Sequence, residues 1–285
     1  MNVLKKRSEF LYFALRNRKL QVGLLLILFF LVLAVVGPRL THYDPFEYIT
    51  NGAQPPSSKF WFGTTFFGQD VFTQFVTGLR ATFLVGILGG GIGTLLGIVI
   101  GFTAGYRGGI VDEILNVLTN IVLVLPTMAV LLIIAAYLQV RSLFAECVFI
   151  GLTTWPWAAR AIRAQTFSLR TRDFIDLARM SGMKSVKVIF SEIAPNMMSY
   201  LVMTFILEFG GAILNAATLD FIGLGPTNTI SLGLMMQISV LWGALLFGNW
   251  WWFIPPGLAI TIIVGALYAM NVGLDEVFNP KLREM

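Results

Sequence analysis

Long apolar runs separated by short polar intervals repeat along the whole chain. Val22 to Val36 contains no charged residue, and further runs cover about Ala81 to Tyr106, Ile114 to Leu138, Leu143 to Ala161, Pro195 to Phe221 and Trp251 to Val272. Each is close to the roughly 20 apolar residues that a helix needs to cross a hydrocarbon layer. The pattern predicts an all-α integral membrane protein with six transmembrane helices, the first within 21–40 and five more in a core over 81–272. Pro126 interrupts the third run, and a kink is expected there.

The polar intervals set the orientation. Residues 1–20 carry Lys5, Lys6, Arg7, Arg16, Arg18 and Lys19 against Glu9, which predicts a cytoplasmic N-terminal tail. A secretory signal peptide has the same outline. Here, however, the apolar run continues through Gly37 and Pro38 with no small-residue cleavage site, so a retained anchor is expected. Segment 41–80 holds Asp44, Glu47 and Asp70, with Lys59 as the one base before Arg80, and is assigned to the extracytoplasmic side. Val71, Phe72, Phe75, Val76 and Leu79 fall at helical spacing with Gln69, Asp70, Gln74 and Arg80 elsewhere, predicting a short amphipathic helix on the outer surface. Arg107, Asp112 and Glu113 form an inner turn and Arg141 an outer one. Gly223 to Trp250 has no base and is placed outside, and the tail 273–285 returns inside.

Composition agrees with lipid as the solvent: 56% of residues are hydrophobic and 12% charged, against about 25% charged in soluble domains. A net charge of +5 would suggest nucleic acid in a soluble protein. In this chain the bases gather at the ends of apolar runs, where membrane orientation accounts for them. Cys147 stands alone, so no internal disulfide forms. His42 is the one histidine, which leaves no metal-ligand cluster.

Gly89, Gly93, Gly97, Gly101 and Gly105 recur at intervals of four, forming a stripe along which another helix can approach at backbone distance. A phosphate-loop reading of these glycines fails, because no Gly-Lys-Ser/Thr follows.

The loop 163–195 is the one long polar, basic interval between two spans in the second half of the chain, with Arg163, Arg170, Arg172, Arg179, Lys184 and Lys187. Asp173 is read as a helix N-cap with Asp176 three places on. Phe174, Leu177, Ala178 and Ser181 give one modestly apolar face. Gly182 suits the left-handed position of a C-terminal cap. Ser185 starts a second helix that brings Val186, Ile189 and Phe190 together, and Pro195 fits the first turn of the next span. Ordinary turns between helices take about 2–8 residues. An interval that builds two helices with a joint predicts a docking element for a water-soluble partner.

This loop resembles the ATPase-coupling loop of type I ABC importer permeases, written Glu-Ala-Ala, three residues, Gly, then Leu-Pro. Ala178, Gly182 and Pro195 match, while Asp176, Leu177 and Ala194 depart from it. The likeness extends over nearly the whole chain to the second permease of the dipeptide, oligopeptide and nickel branch, through YDPF, QPPSSKFWFGTT, GQDVFTQFVTGLRATFLVG, AGYRGGIVD, RAQTFSLRTRDF, Pro195-Asn196, FIGLG and PPGLAI. Thr65 and Gln69 stand where that branch has Asp and Arg. The Glu it carries near Asn215-Ala216-Ala217-Thr218 is absent. With the Trp-rich Asn249 to Phe253, these departures resemble the branch's oligosaccharide-carrying members.

The resemblance implies a non-catalytic, binding-protein-dependent permease in the cytoplasmic membrane of a bacterium or archaeon. Its implied partners are a homologous second permease, two ATPase subunits beneath the coupling loop, and an extracytoplasmic binding protein that delivers an oligosaccharide, such as a β-gluco-oligosaccharide. A peptide or nickel is the alternative solute. ATP and Mg would be bound by the partners, with no cofactor in this chain. Asp173, Asp176, Leu177, Ala178, Ser181, Gly182 and Pro195 are the candidate coupling residues.

Ionisable groups inside a span are costly and face a cavity or a partner. Asp220 is therefore a candidate for the pathway with Asn215 and Thr218, the other reading being a solvated residue at the outer interface. Glu208 has no assigned role. Trp242 and Trp250 form either an interfacial belt or a sugar platform. An ion-coupled transporter would show half-length repeats and several midplane acids, and a membrane enzyme would need clustered His or paired carboxylates; neither pattern is found.

Overall fold

The computed structural model describes residues 13–137 and 141–278. Lys5, Lys6, Arg7, Glu9, Leu138, Lys281 and the last residues of the tail, on which parts of the orientation rest, lie outside them. Among the described residues the regular structure is helical: α1 (Arg18–Leu40), α2 (Val71–Arg107), α3 (Gly109–Val124), α4 (Thr127–Tyr137), α5 (Leu143–Arg170), α6 (Asp173–Met180), α7 (Ser185–Val188), α8 (Ala194–Asn196), α9 (Met198–Phe221), α10 (Leu232–Leu241) and α11 (Trp250–Phe278). Helices α1, α2, α9 and α11 are each long and apolar enough to cross a membrane. Helices α3 and α4 make a fifth path, bent by 77° at Leu125-Pro126. That is a break rather than the expected kink, since proline removes a backbone donor and its ring crowds the preceding turn. Helix α5 has the length, 28 residues, but Glu146, Arg160, Arg163 and Arg170 lower its apolar character.

One end of the bundle, the loop end, carries Arg107–Asp112 and α6 to α8. The other, the cap end, carries residues 41–70 and 223–249. The surface amphipathic helix expected near residue 71 does not form. Those residues are the first turns of α2, one continuous helix of 37 residues. Val71, Phe72, Thr73, Gln74, Phe75 and Val76 are all buried, leaving no wet face. Of the polar positions that suggested one, Gln69, Asp70 and Gln74 are satisfied by the cap, while Arg80 is exposed. Asp70 caps α2, accepting from the Thr73 amide at 2.8 Å and the Thr73 hydroxyl at 2.6 Å. The Gln74 amide group donates to Pro45 O at 3.0 Å and to Gln69 Oε1 at 2.9 Å. Across the cap, the Trp251 indole donates to Thr64 O at 3.1 Å.

The glycine stripe faces α5 of the same chain, and the two helices run parallel. A Cβ at Gly97 would lie 2.5 Å from Ala158 Cβ and 3.0 Å from Ala159 N. At Gly101 it would meet Ala159 O at 2.8 Å, and at Gly105 Arg163 O at 2.7 Å. Helix α5 answers with its own small residues, Gly151, Ala158 and Ala159, all buried. Close backbone approach of this kind supplies packing where no hydrophobic driving force acts between helices in lipid. The adjacent face of α2 receives α9, and a Cβ at Gly90 would lie 2.7 Å from Phe209 N. Helices α1 and α11 pack together through Gly23 and Gly273, and at the loop end Glu276 accepts from Lys19 at 2.5 Å and Asn17 at 2.7 Å.

The seam makes a direct prediction. Gly97→Leu has to push α5 backbone aside, so the thermal midpoint of the detergent-purified complex should fall by about 5 °C or more. Gly265→Leu, where an added Cβ meets nothing within 4 Å, should leave it nearly unchanged. Equal midpoints for the two variants would remove the seam as a determinant of stability.

Candidate functional site

Two features stand out: the folded loop end, and a cleft in the middle of the bundle. At the loop end, Ile175 and Ala178 of α6, Val188 of α7, Ile193 and Met197 form one apolar cluster with Phe102, Tyr106 and Ile162 of the long helices. Arg170 Nη1 donates to Tyr106 O at 3.1 Å. The Arg179 guanidinium lies over the Tyr106 ring, 5.1 Å from its centroid, a cation–π contact that a partly dried site strengthens. Arg163 donates two hydrogen bonds to the Asp112 carboxylate, at 2.5 and 2.7 Å. That guanidinium holds the Asp112 carboxyl below the usual carboxylate range. The loop is thus fastened to α2, α3 and α5.

Several sequence expectations are met here and several are corrected. Gly182 has φ +79°, as a left-handed cap requires. The amides of Met183 and Gly182 bond back to Ala178 O and Arg179 O, at 3.3 and 3.0 Å, which is a complete Schellman turn. Ser181 Oγ donates to Ala178 O at 2.7 Å. Asp173 is not the cap. Arg172 occupies that position without a side-chain bond, and Asp173 and Asp176 sit in the first turn of α6, where the helix dipole favours acids. The buried face of α6 is Ile175 and Ala178, because those residues point at Tyr106 and Ile162. Leu177 and Met180 are 67% and 84% exposed, and Val186 and Phe190 on the second helix 63% and 67%. Pro195 lies in the single-turn α8, ahead of Met197, so the next span begins at Met198.

The cleft, about 430 Å³, opens where α3 breaks from α4. Thr127, Thr153, Thr154, Trp157, Glu208, Asn215 and Tyr268 line it, among others. Glu208 sits near the middle of α9 and is only 5% exposed. Gly93 makes room for it: a Cβ there would lie 3.2 Å from Glu208 Oε2 and 2.6 Å from Thr154 Oγ1. Hydroxyls, an amide, a carboxylate and two aromatic rings together can bind a polar solute.

Of the pathway residues named from sequence, the structure brings only Asn215 to this cleft. Thr218 lines a separate groove of about 250 Å³ with Met236 and Ile260, and its hydroxyl donates to Leu214 O at 2.7 Å. Asp220 is 2% exposed, hence neither solvated nor on an open path. It accepts from the Ser231 hydroxyl and lies against Glu146 of α5. The adjoining space is about 20 Å³, too small for a solute. Trp242 packs edge-on against Phe67, centroids 4.8 Å apart, and Trp250 against Trp251 at 6.1 Å. Both belong to the cap end. Glu146, Thr154, Trp157 and Tyr268 escaped the sequence reading. A lone acid in the first turn of an apolar helix was the available signal for Glu146, whereas the other three look like ordinary span residues.

Residues 97–284 match the family described as binding-protein-dependent transport system inner membrane component. The chain is 32% identical to the dipeptide transport system permease protein DppC of Alkalihalophilus pseudofirmus, over 94% of this chain and 88% of that protein. It is 29% identical to the oligopeptide transport system permease protein OppC of Bacillus subtilis, over 94% and 87%, and 30% identical to the dipeptide permease DppC of the same organism, over 94% and 83%.

The Asp112–Arg163 pair generates a pH-dependent expectation. Its carboxyl is lowered in the folded state, so its contribution is present above the ordinary carboxylate range and lost as pH falls through the lowered value. Asp112→Asn should cost about 1 kcal/mol near neutral pH. The gap in thermal midpoint between variant and wild type should close below about pH 4. A gap that stays constant across that range would assign the loss to something other than the charge pair.

Proposed function

Because the chain belongs to the family of binding-protein-dependent transport system inner membrane components, we propose that the solute it helps to import is a short peptide and that the cleft beside Glu208 is its half of the path. The chain is the permease subunit of an ABC importer and a multi-pass membrane protein. The observation that carries the peptide reading is the match over 94% of the chain to dipeptide and oligopeptide permeases.

The features that had suggested an oligosaccharide have other physical roles. Thr65 is buried, and its hydroxyl accepts from the amides of Phe67 and Gln69, both at 3.2 Å. Trp251 and Trp252 are core residues of the cap. An oligosaccharide remains the second reading, supported by the half-exposed rings of Trp242 and Trp250.

In the mechanism we propose, the loop end faces the cytoplasm with both chain termini, and α5 supplies the sixth span. Helix α6 with Gly182 acts as a coupling helix on one of two partner ATPase subunits, which bind ATP and Mg. A second permease completes the path, and an external binding protein delivers the solute. The exposed apolar groups Leu177 and Met180 enter the ATPase groove, while Ile175 and Ala178 hold the helix to α2. Closure of the ATPases then moves α6 as a rigid body, and the seam carries the motion to the cleft.

Two expectations follow from separating these faces. Leu177→Asp with Met180→Asp should keep the chain folded in the membrane, because both side chains are exposed, yet cut co-purification of the ATPase subunits about ten-fold. Undiminished co-purification would remove α6 as the docking element. For the solute, cells that carry this importer should accumulate labelled short peptides and lose that uptake when the chain is deleted. Loss of β-gluco-oligosaccharide uptake instead would favour the second reading.

A further inference from the structure

Among the described residues Glu208 is the one acid lining the cleft, and none of them gives it a cation. It makes no ion pair among the described residues, and no Lys, Arg or His lines the same space. A carboxylate withdrawn from water on a membrane helix needs a compensating charge or proton. Gly93, buried behind it, leaves room for the carboxylate where a Cβ would lie 3.2 Å from Oε2. Thr153, Thr154 and Asn215 place hydroxyls and an amide nearby, and Trp157 and Tyr268, about half-exposed, present aromatic surface at the mouth.

Those groups together match an alkylammonium. The carboxylate supplies charge-assisted acceptance, the low dielectric strengthens the pairing, and aromatic faces attract the same cation. The cleft has no counterpart for an anion. We infer that Glu208 receives the free N-terminal ammonium of the peptide in transit, with Thr153, Thr154 and Asn215 taking the adjacent amide. The inference rests on the peptide reading above. It leaves the peptide's carboxylate end to the other permease, since none of the described residues brings a base to the cleft.

The test uses the complete complex in proteoliposomes, with the cognate binding protein saturated with labelled tri-alanine or with N-acetyl-tri-alanine. Wild type should import the free peptide about ten-fold or more faster than the acetylated one. Glu208→Gln keeps shape and hydrogen bonding but removes the charge. It should import tri-alanine about ten-fold more slowly and no longer distinguish the two peptides. A variant that still prefers the free peptide as strongly as wild type would overturn the role of Glu208. If Glu208→Gln fails to assemble, equal import of both peptides by wild type would overturn it. The failure of the solute reading looks different: wild type then imports neither peptide.

Discussion

Helix α2 reaches backbone contact with α5 because every fourth residue on its facing side lacks a side chain, and the rest of the molecule is arranged around that seam. At its cap end the same helix is held by Asp70 and Gln74. At its loop end it delivers Phe102 and Tyr106 to the cluster under α6. The face beside the seam takes the backbone of α9 at Gly90. Packed interfaces of this kind shift between discrete arrangements instead of deforming continuously. The seam therefore suits a part that passes a push from one end of the bundle to the middle.

The loop end divides its apolar groups into two sets. Ile175, Ala178, Val188 and Ile193 are consumed inward and fasten the loop. Leu177, Met180, Val186 and Phe190 are left outward, where exposed apolar surface in a solvated region marks a place for a partner. The Schellman turn at Gly182 keeps α6 at a fixed angle to α7. Bidentate pairing of Arg163 with Asp112 and the stacking of Arg179 on Tyr106 hold the loop to the long helices. Arginines read from the sequence as setting the membrane orientation thus have a second use as fastenings.

Much of the fold was legible in the chain. Run length and hydropathy gave four of the spans and the broken fifth path, and the four-residue glycine interval gave a close-packed stripe. Gly182 was readable because a helix that stops in a polar interval needs a left-handed residue. Two kinds of feature were not readable. Which face of a short helix is buried depends on what lies beneath it, so Ile175 was missed in favour of Leu177. Polar residues at the start of α2 looked wet because the cap that satisfies Gln74 comes from residues distant in sequence. The cleft was the least legible part. Thr154, Trp157 and Tyr268 meet only because α3 breaks at Pro126 and α5, α9 and α11 converge there. Asp220, an acid in a span, was a sound candidate by cost alone, but its position beside Glu146 and Ser231 makes it part of the closure between α5 and α9.

The central claim is that nucleotide at the ATPases, acting through the loop end, opens the cleft beside Glu208. A single cysteine at Asn215 reports on it most directly, since the native Cys147 is fully buried and contributes little background. In the assembled complex, a membrane-impermeant maleimide applied from the binding-protein side should label that cysteine faster with a non-hydrolysable ATP analogue bound than without nucleotide. Labelling at the same rate in both states would contradict the account.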